Sequence, residues 1–127
     1  MNKTMSNMLK AIGVMAALGF GQSAFAADMV CNLNVKSGGY VDGNGTAHCI
    51  GFDYSFGSST SGTYSIENVT KPISSVIWSG NAKCSGGVSC GVTVRAYSIN
   101  KASATILYKD GTWEQTNTAN MSYETGY

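Results

Sequence analysis

Apolar side chains recur at every second position along most of the chain, which is the period of a β-strand. In the clearest run, four apolar residues alternate with Gly91, Thr93 and Arg95: Cys90, Val92, Val94 and Ala96. The same alternation predicts strands over 29–35, 47–56, 63–69, 74–79, 90–96, 104–108 and 112–123. Ile50, Phe52, Tyr54 and Phe56 share one phase of the second run. The chain is therefore predicted to be β throughout, with almost no helix.

Turn-forming stretches separate these runs. SGGYVDGNGT at 37–46 and GNAKCSGGVSC at 80–90 are rich in glycine, and GSSTSG at 57–62 is predicted to be a flexible loop. Pro72 ends the third strand because proline cannot donate a hydrogen bond to a ladder. In ILYKDGTWEQT, residues 106–116, Asp110-Gly111 predicts a two-residue type I′ turn at the tip of a closing hairpin.

About seven short strands with regular turns predict a single small antiparallel β-sandwich. The nearest named architecture is an immunoglobulin-like sandwich. The Cys-Trp-Cys spacing of true immunoglobulin domains is absent, because Trp78 follows Cys49 by 29 residues and precedes Cys84 by six. The comparison therefore concerns architecture alone, which does not imply a function.

The first 26 residues have the pattern of an export signal. Lys3 and Lys10 lie in a polar start, AIGVMAALGF forms the apolar stretch, and GQSAFA ends in a small-x-small site. The apolar stretch has about 10 residues, whereas a membrane span needs ~20. We expect cleavage after Ala26, one domain over 27–127, and a secreted or periplasmic protein without a membrane anchor.

The charges of the predicted mature domain are few and scattered. It has six basic residues and seven acidic ones, a net charge of about −1. Binding of nucleic acid needs a basic stripe that neutralises phosphates, and none is present. Nucleic acid is therefore not an expected partner.

All four cysteines follow the predicted signal, which favours two disulfides in an oxidising compartment. We favour Cys31–Cys49 and Cys84–Cys90 because each pair brackets a glycine-rich turn, although three connectivities are possible. In the chain-entropy model these bridges would contribute ~3 and ~2 kcal/mol. A zinc site fits poorly, since no pair has CxxC spacing and His48 is the only histidine.

Catalytic and metal-binding patterns are weak. His48 is the only candidate for a histidine base, and no GxSxG motif marks a serine nucleophile beside it. Asp110 and Glu114 flank one hairpin, but the turn itself explains Asp110. DGNGT at 42–46 resembles a calcium loop only faintly, because it lacks the third acidic position and the distal glutamate. We therefore predict no catalytic residue, metal or cofactor.

Aromatic residues are the most informative remaining feature. Trp78, within the run Val76-Ile77-Trp78, is predicted to lie in the core. Tyr108, Lys109 and Trp113 at the closing hairpin form a candidate binding surface. For Trp113, cross-strand packing on Tyr108 or Leu107 is favoured over an exposed contact.

Three functions stay open on these residues. The favoured one is an exported, non-enzymatic module that binds a protein or glycan through loops or a sheet face, and a disulfide-tied loop could make it an inhibitor of a secreted hydrolase. The second is a structural or accessory subunit of a surface assembly that pairs through strand edges. The third is a small hydrolase that uses His48.

Overall fold

The computed structural model describes residues 27–126, and within that range the chain forms nine β-strands and no helix. The predicted export signal lies outside the described residues. The strands are β1 (Asp28–Leu33), β2 (Tyr40–Asp42), β3 (His48–Asp53), β4 (Ser59–Glu67), β5 (Ile73–Gly80), β6 (Ser89–Arg95), β7 (Asn100–Tyr108), β8 (Trp113–Gln115) and β9 (Ala119–Thr125). The prediction of an all-β fold is confirmed.

The strands form two sheets. The larger sheet has the order β2-β3-β9-β7-β5, and β8 also pairs with β7; the smaller sheet has the order β1-β4-β6. Strands β2 and β8 have only three residues each, which is why alternation along the sequence does not reveal them as separate elements.

One strand pair departs from the predicted antiparallel arrangement. β9 runs parallel to β3, from Asn120 opposite His48 to Thr125 opposite Asp53, whereas the other strand pairs are antiparallel. A parallel pair needs a long crossover between its strands. Here the intervening chain builds β4 and β6 of the smaller sheet and β5, β7 and β8 of the larger one before β9 pairs with β3.

The core lies between the two sheets and is filled from both. The smaller sheet contributes Met29, Leu33, Tyr64, Ile66 and Val94, and the larger sheet contributes Trp78, Ile106, Met121 and Tyr123. Trp78 is buried as predicted, and its indole N–H donates to the Gly86 carbonyl at 3.1 Å. Its polar atom is therefore satisfied by the loop that precedes β6.

Both predicted disulfides are confirmed. Cys31–Cys49 joins β1 to β3 and so links the two sheets over a sequence separation of 18. Cys84–Cys90 ties the loop after β5 to the start of β6 over a separation of six. One bridge therefore holds the sandwich together, and the other holds a loop.

The predicted loop at 57–62 is wrong, because β4 already begins at Ser59. Gly62 explains how this polar stretch can form a strand that packs directly against core side chains. A Cβ atom at Gly62 would lie 2.8 Å from the Met121 sulfur and 2.9 Å from Cγ2 of Val94. The missing side chain thus makes room for side chains that meet across the sandwich.

The predicted type I′ turn at Asp110-Gly111 is also wrong. The Tyr108 N–H donates to the Thr112 carbonyl at 2.9 Å, which leaves a three-residue loop, and of the turn residues only Gly111 has a positive φ, of 89°. Such a loop combines a turn with a left-handed glycine. Asp110 instead accepts a hydrogen bond from the Thr112 N–H at 2.9 Å.

Candidate binding surface

Exposed apolar side chains cluster on the outer side of β2 and β3. We call this cluster the aromatic face and define it as Tyr40, Ile50, Phe52 and Tyr54. Tyr40 lies directly opposite Phe52 in the β2–β3 register, and Ile50 is two positions from Phe52 on the same side of β3. Tyr54 follows the end of β3.

The alternation of β3 explains why this face points outward. Cys49 must face the core to reach Cys31, so Ile50 and Phe52 face the opposite way. Gly51 also faces the core, where a Cβ atom would lie 2.6 Å from Cδ2 of Leu33. The phase that Ile50 and Phe52 share in the sequence is therefore the solvent side of the strand.

The rings form a contiguous but uneven patch. The Tyr40 and Phe52 centroids are 6.5 Å apart with planes at 42°, and the Phe52 and Tyr54 centroids are 4.9 Å apart with planes at 89°. Tyr40, Tyr54 and Ile50 are 64%, 59% and 54% exposed, respectively, and Phe52 is half-buried between its neighbours. A patch of several adjacent exposed apolar side chains is typical of an interaction surface.

Acidic groups border the aromatic face. Asp42 lies opposite Ile50 on β2, and Glu124 lies opposite Phe52 on β9; both are exposed. Beyond them on β3, Nδ1 of His48 is 3.0 Å from Oδ1 of Asn120. The surface is thus apolar at its centre and negative at its border.

A buried carboxylate beneath the face fixes the end of β3. Asp53 is fully buried and accepts hydrogen bonds from the Tyr123 hydroxyl at 2.6 Å and from the backbone N–H groups of Lys36 and Ser55, each at 2.9 Å. Burial alone would raise the pKa of Asp53, but hydrogen bonds from Ser55, Tyr123 and Lys36 together hold it below its usual range. This network orders the segment that carries Tyr54.

The structure separates the three predicted surface residues of the closing hairpin. Trp113 is 62% exposed opposite Leu107, so the favoured interpretation of inward packing does not describe its position. Tyr108 is buried, and its hydroxyl donates to Oε2 of Glu114 at 2.8 Å. Burial and this contact with Glu114 raise the pKa of Tyr108 to about 12. Lys109 is exposed in the turn. Because Tyr108 is buried, it does not share a surface with Lys109 and Trp113.

The other candidate residues have local partners. Asp110 forms a 3.2 Å salt bridge with Lys71, and hydrogen bonds from Thr112, followed by that lysine, lower its pKa to about 2. Asn44 of the calcium-like stretch uses its side-chain oxygen to accept from the Leu33 N–H at 2.8 Å. Over residues 27–126, no group of three His, Cys, Asp or Glu residues could hold a metal ion.

The aromatic face was missed because the sequence prediction named the shared phase of Ile50 and Phe52 without deciding which side it occupied. The positions of Ile50 and Phe52 relative to Cys49 carry that signal, since a disulfide-bonded cysteine in a strand faces inward.

Within the described part of the chain, no helix is long and apolar enough to cross a membrane. No family model, curated protein or solved structure matches the chain.

Proposed function

We propose that this chain is an exported binding module that attaches to a partner protein through the aromatic face. The observation that carries the proposal is the contiguous exposure of Tyr40, Ile50 and Tyr54 around Phe52. Exposed aromatic side chains at the centre of a patch supply large contact areas when a partner covers them. Two disulfides fit the secreted or periplasmic location that the sequence of residues 1–26 indicates.

The shape and charge of the face favour a protein over a glycan. The rings lie at 42° and 89° to one another, so they do not form one flat platform. Ile50 adds an aliphatic side chain to the centre, and Asp42 and Glu124 border it with negative charge. A partner of matching chemistry presents an apolar projection flanked by basic groups.

Photo-crosslinking in the cells that produce the protein tests this proposal. A benzophenone amino acid placed at Tyr40 or Tyr54 should yield a covalent adduct with one protein, whereas the same group at the exposed positions Ser75 or Gln115 should not. The four positions all lie in the larger sheet or directly after it, which makes the second pair a matched control.

The adduct should depend on the chemistry of the face. Replacement of Ile50 by Ser should reduce the yield from position 54 at least fivefold, and Trp113→Ser should leave it unchanged. Equal yields at the control positions, or no adduct at all, would contradict the proposal. Binding to a glycan array that is lost in the Tyr40→Ser, Tyr54→Ser variant would assign the face to a glycan instead.

A further inference from the structure

β6 has an open hydrogen-bonding edge. Among the strands of residues 27–126 it pairs only with β4, and its ladder continues into bonds from the Ile66 N–H to the Val88 carbonyl and from the Ala96 N–H to the Ser58 carbonyl. Hydrogen-bonded pairs alternate along an antiparallel ladder. The backbone groups of four residues therefore point away from β4: Ser89, Gly91, Thr93 and Arg95.

The corresponding edge of β1, on the other side of the same sheet, is closed by other groups. The Asn117 side chain accepts from the Met29 N–H at 2.8 Å and donates to its carbonyl at 3.0 Å. The Asn44 side chain does the same for Leu33, at 2.8 and 3.2 Å. Between them, Cys31 bonds to backbone groups of the 45–46 turn, with both bonds at 2.8 Å. No further strand can pair at β1.

The same device closes only one end of the β6 edge. The Asn100 side chain accepts from the Arg95 N–H and donates to the Arg95 carbonyl, each at 3.3 Å. Within the described part of the chain, the outward N–H and C=O groups of Gly91 and Thr93 have no such partner. The Cys90 sulfur lies 3.8 Å from the Gly91 carbonyl, but in a disulfide it has no proton to donate.

A groove runs along this open segment. It has a volume of about 660 Å³ and lies between β6 and the chain that follows β5. Gly91, Val92 and Thr93 line one side, and Lys83 and Cys84 line the other. A Cβ atom added at Gly91 would meet nothing within 4 Å, so the outer face of the strand is uncrowded at this position. The Cys84–Cys90 bridge fixes the distance between the two sides.

The charged groups that line the groove are both basic. Lys83 and Arg95 are exposed, and no carboxylate of the described residues lines the groove with them. The one salt bridge among residues 27–126 joins Lys71 to Asp110, so neither groove cation has an ionic partner there. A carboxylate can accept two parallel hydrogen bonds from an arginine side chain.

We infer that the β6 edge binds an extended acidic segment of a partner polypeptide, which pairs with Gly91 and Thr93 as an added strand. Backbone bonds would supply the register, as in other cases of strand addition. Alternate side chains of the segment would point toward Val92 and toward the outer side that carries Arg95. The segment should therefore alternate apolar and acidic residues.

A synthetic peptide of that pattern provides the probe. The capped peptide Ac-TEVEVET-NH2 reads the same in both directions, so it presents the same side chains to a parallel or an antiparallel edge. We expect it to bind the mature domain at least tenfold more tightly than Ac-TKVKVKT-NH2 in fluorescence anisotropy. In NMR hydrogen exchange, the amides of Gly91 and Thr93 should gain protection, whereas those of β1 should not change.

Two variants separate the backbone and charge contributions. Thr93→Pro removes an outward N–H, which an edge strand tolerates, and should abolish binding while the melting temperature stays within a few degrees. Arg95→Glu should weaken binding at least tenfold. Lys101→Glu is the matched control, because Lys101 is an exposed cation on the larger sheet, and it should leave the affinity within a factor of two.

Several results would overturn the inference. These are equal affinity for the two peptides, binding that Thr93→Pro does not alter, or protection at β1 instead of β6. Sedimentation that shows dimers of the wild type and monomers of Thr93→Pro would assign the edge to a second copy of the chain. Tyr40→Ser and Tyr54→Ser should not affect peptide binding, so this site and the aromatic face can fail independently.

Discussion

Two buried tyrosines differ in whether their hydroxyl groups have partners. The Tyr123 hydroxyl donates to Asp53 at 2.6 Å, whereas the Tyr64 hydroxyl has no hydrogen-bond partner among residues 27–126. Both side chains are almost fully buried on facing sheets. An unpaired hydroxyl retains its desolvation cost, while a paired one stabilises the fold. Burial also raises the pKa of Tyr64 to about 12, because the charged phenolate would lose its contact with water.

Replacement of each tyrosine by phenylalanine should therefore have opposite consequences. Tyr123→Phe should lower the free energy of unfolding by ~1–3 kcal/mol at pH 7, because it removes a hydrogen bond to a carboxylate. Tyr64→Phe should leave the stability unchanged or raise it. Urea denaturation of both variants at pH 7 measures the difference. Equal losses would contradict the assigned role of the Tyr123 hydroxyl.

The effect of Tyr123→Phe should also depend on pH. The folded-state pKa of Asp53 lies below the unfolded value of about 3.9, so its stabilisation is present above that pH and is lost as pH falls through the folded pKa. The unfolded-state pKa is common to both proteins, so the difference between wild type and Tyr123→Phe should persist through pH 4 and narrow only as pH falls through the folded-state pKa of Asp53 in the variant. A difference that stays constant down to the lowest pH at which both proteins remain folded would show that the hydroxyl acts independently of the carboxylate.

At the scale of the strand, side-chain amides control which edges are accessible. Asn44 and Asn117 each bond to both backbone groups of one β1 residue, Leu33 and Met29. Open strand edges promote association between chains, and proteins commonly block them. These two asparagines have that blocking role for β1.

The double variant Asn44→Ala, Asn117→Ala should therefore change both stability and association. It removes four hydrogen bonds, and we expect a loss of ~2–4 kcal/mol in the free energy of unfolding. The opened edge should make sedimentation depend on protein concentration. Asn34→Ala is the control and should cost little, since among the described residues the Asn34 side-chain amide bonds only to the exposed Ser61 side chain. A fully monomeric double variant would contradict the blocking role.

The sequence predicts strands well where one side of the strand faces the core and the other faces solvent. Cys90, Val92 and Val94 alternate with polar residues and lie in β6 as predicted. The prediction of a loop for the GSSTSG stretch was wrong. Gly62 fits a strand here because Met121 and Val94, from distant parts of the chain, occupy the space that a side chain would need. Local pattern carries no information about such distant neighbours.

The same limit explains the candidate site. Trp113 was placed inward because a large ring usually packs, but its register opposite Leu107 puts it on the outer side. The outward position of Ile50 could have been predicted from the sequence, because Ile50 is adjacent to the inward-facing Cys49 in the same strand. The parallel position of β9 beside β3 could not have been predicted, because its partners are about 70 residues apart in sequence, as for Asn120 and His48.

At the scale of the whole molecule, the two disulfides have unequal roles. Cys31–Cys49 spans 18 residues and joins the sheets, whereas Cys84–Cys90 spans six and holds one side of the β6 groove. A longer closed loop removes more conformational freedom from the unfolded chain.

Removal of the first bridge should cost more stability than removal of the second. We expect losses of ~3 kcal/mol for the Cys31→Ser, Cys49→Ser variant and ~2 kcal/mol for Cys84→Ser, Cys90→Ser. Thermal and urea denaturation without reductant measure both. The second variant should stay folded but lose peptide binding at β6, since the groove wall is no longer tied. Retained binding would show that the bridge does not shape the groove.

The position of β9 has a consequence for the order of events during synthesis. This strand lies between β3 and β7, so the larger sheet has a gap at its centre until residues 119–125 have been made. Before then, two strands with buried faces lack their lateral partner, and assembly must wait for contacts between distant residues, which slows folding. A ribosome that stops before Ala119 therefore releases a chain with two interior edges exposed, and such a chain should aggregate rather than fold.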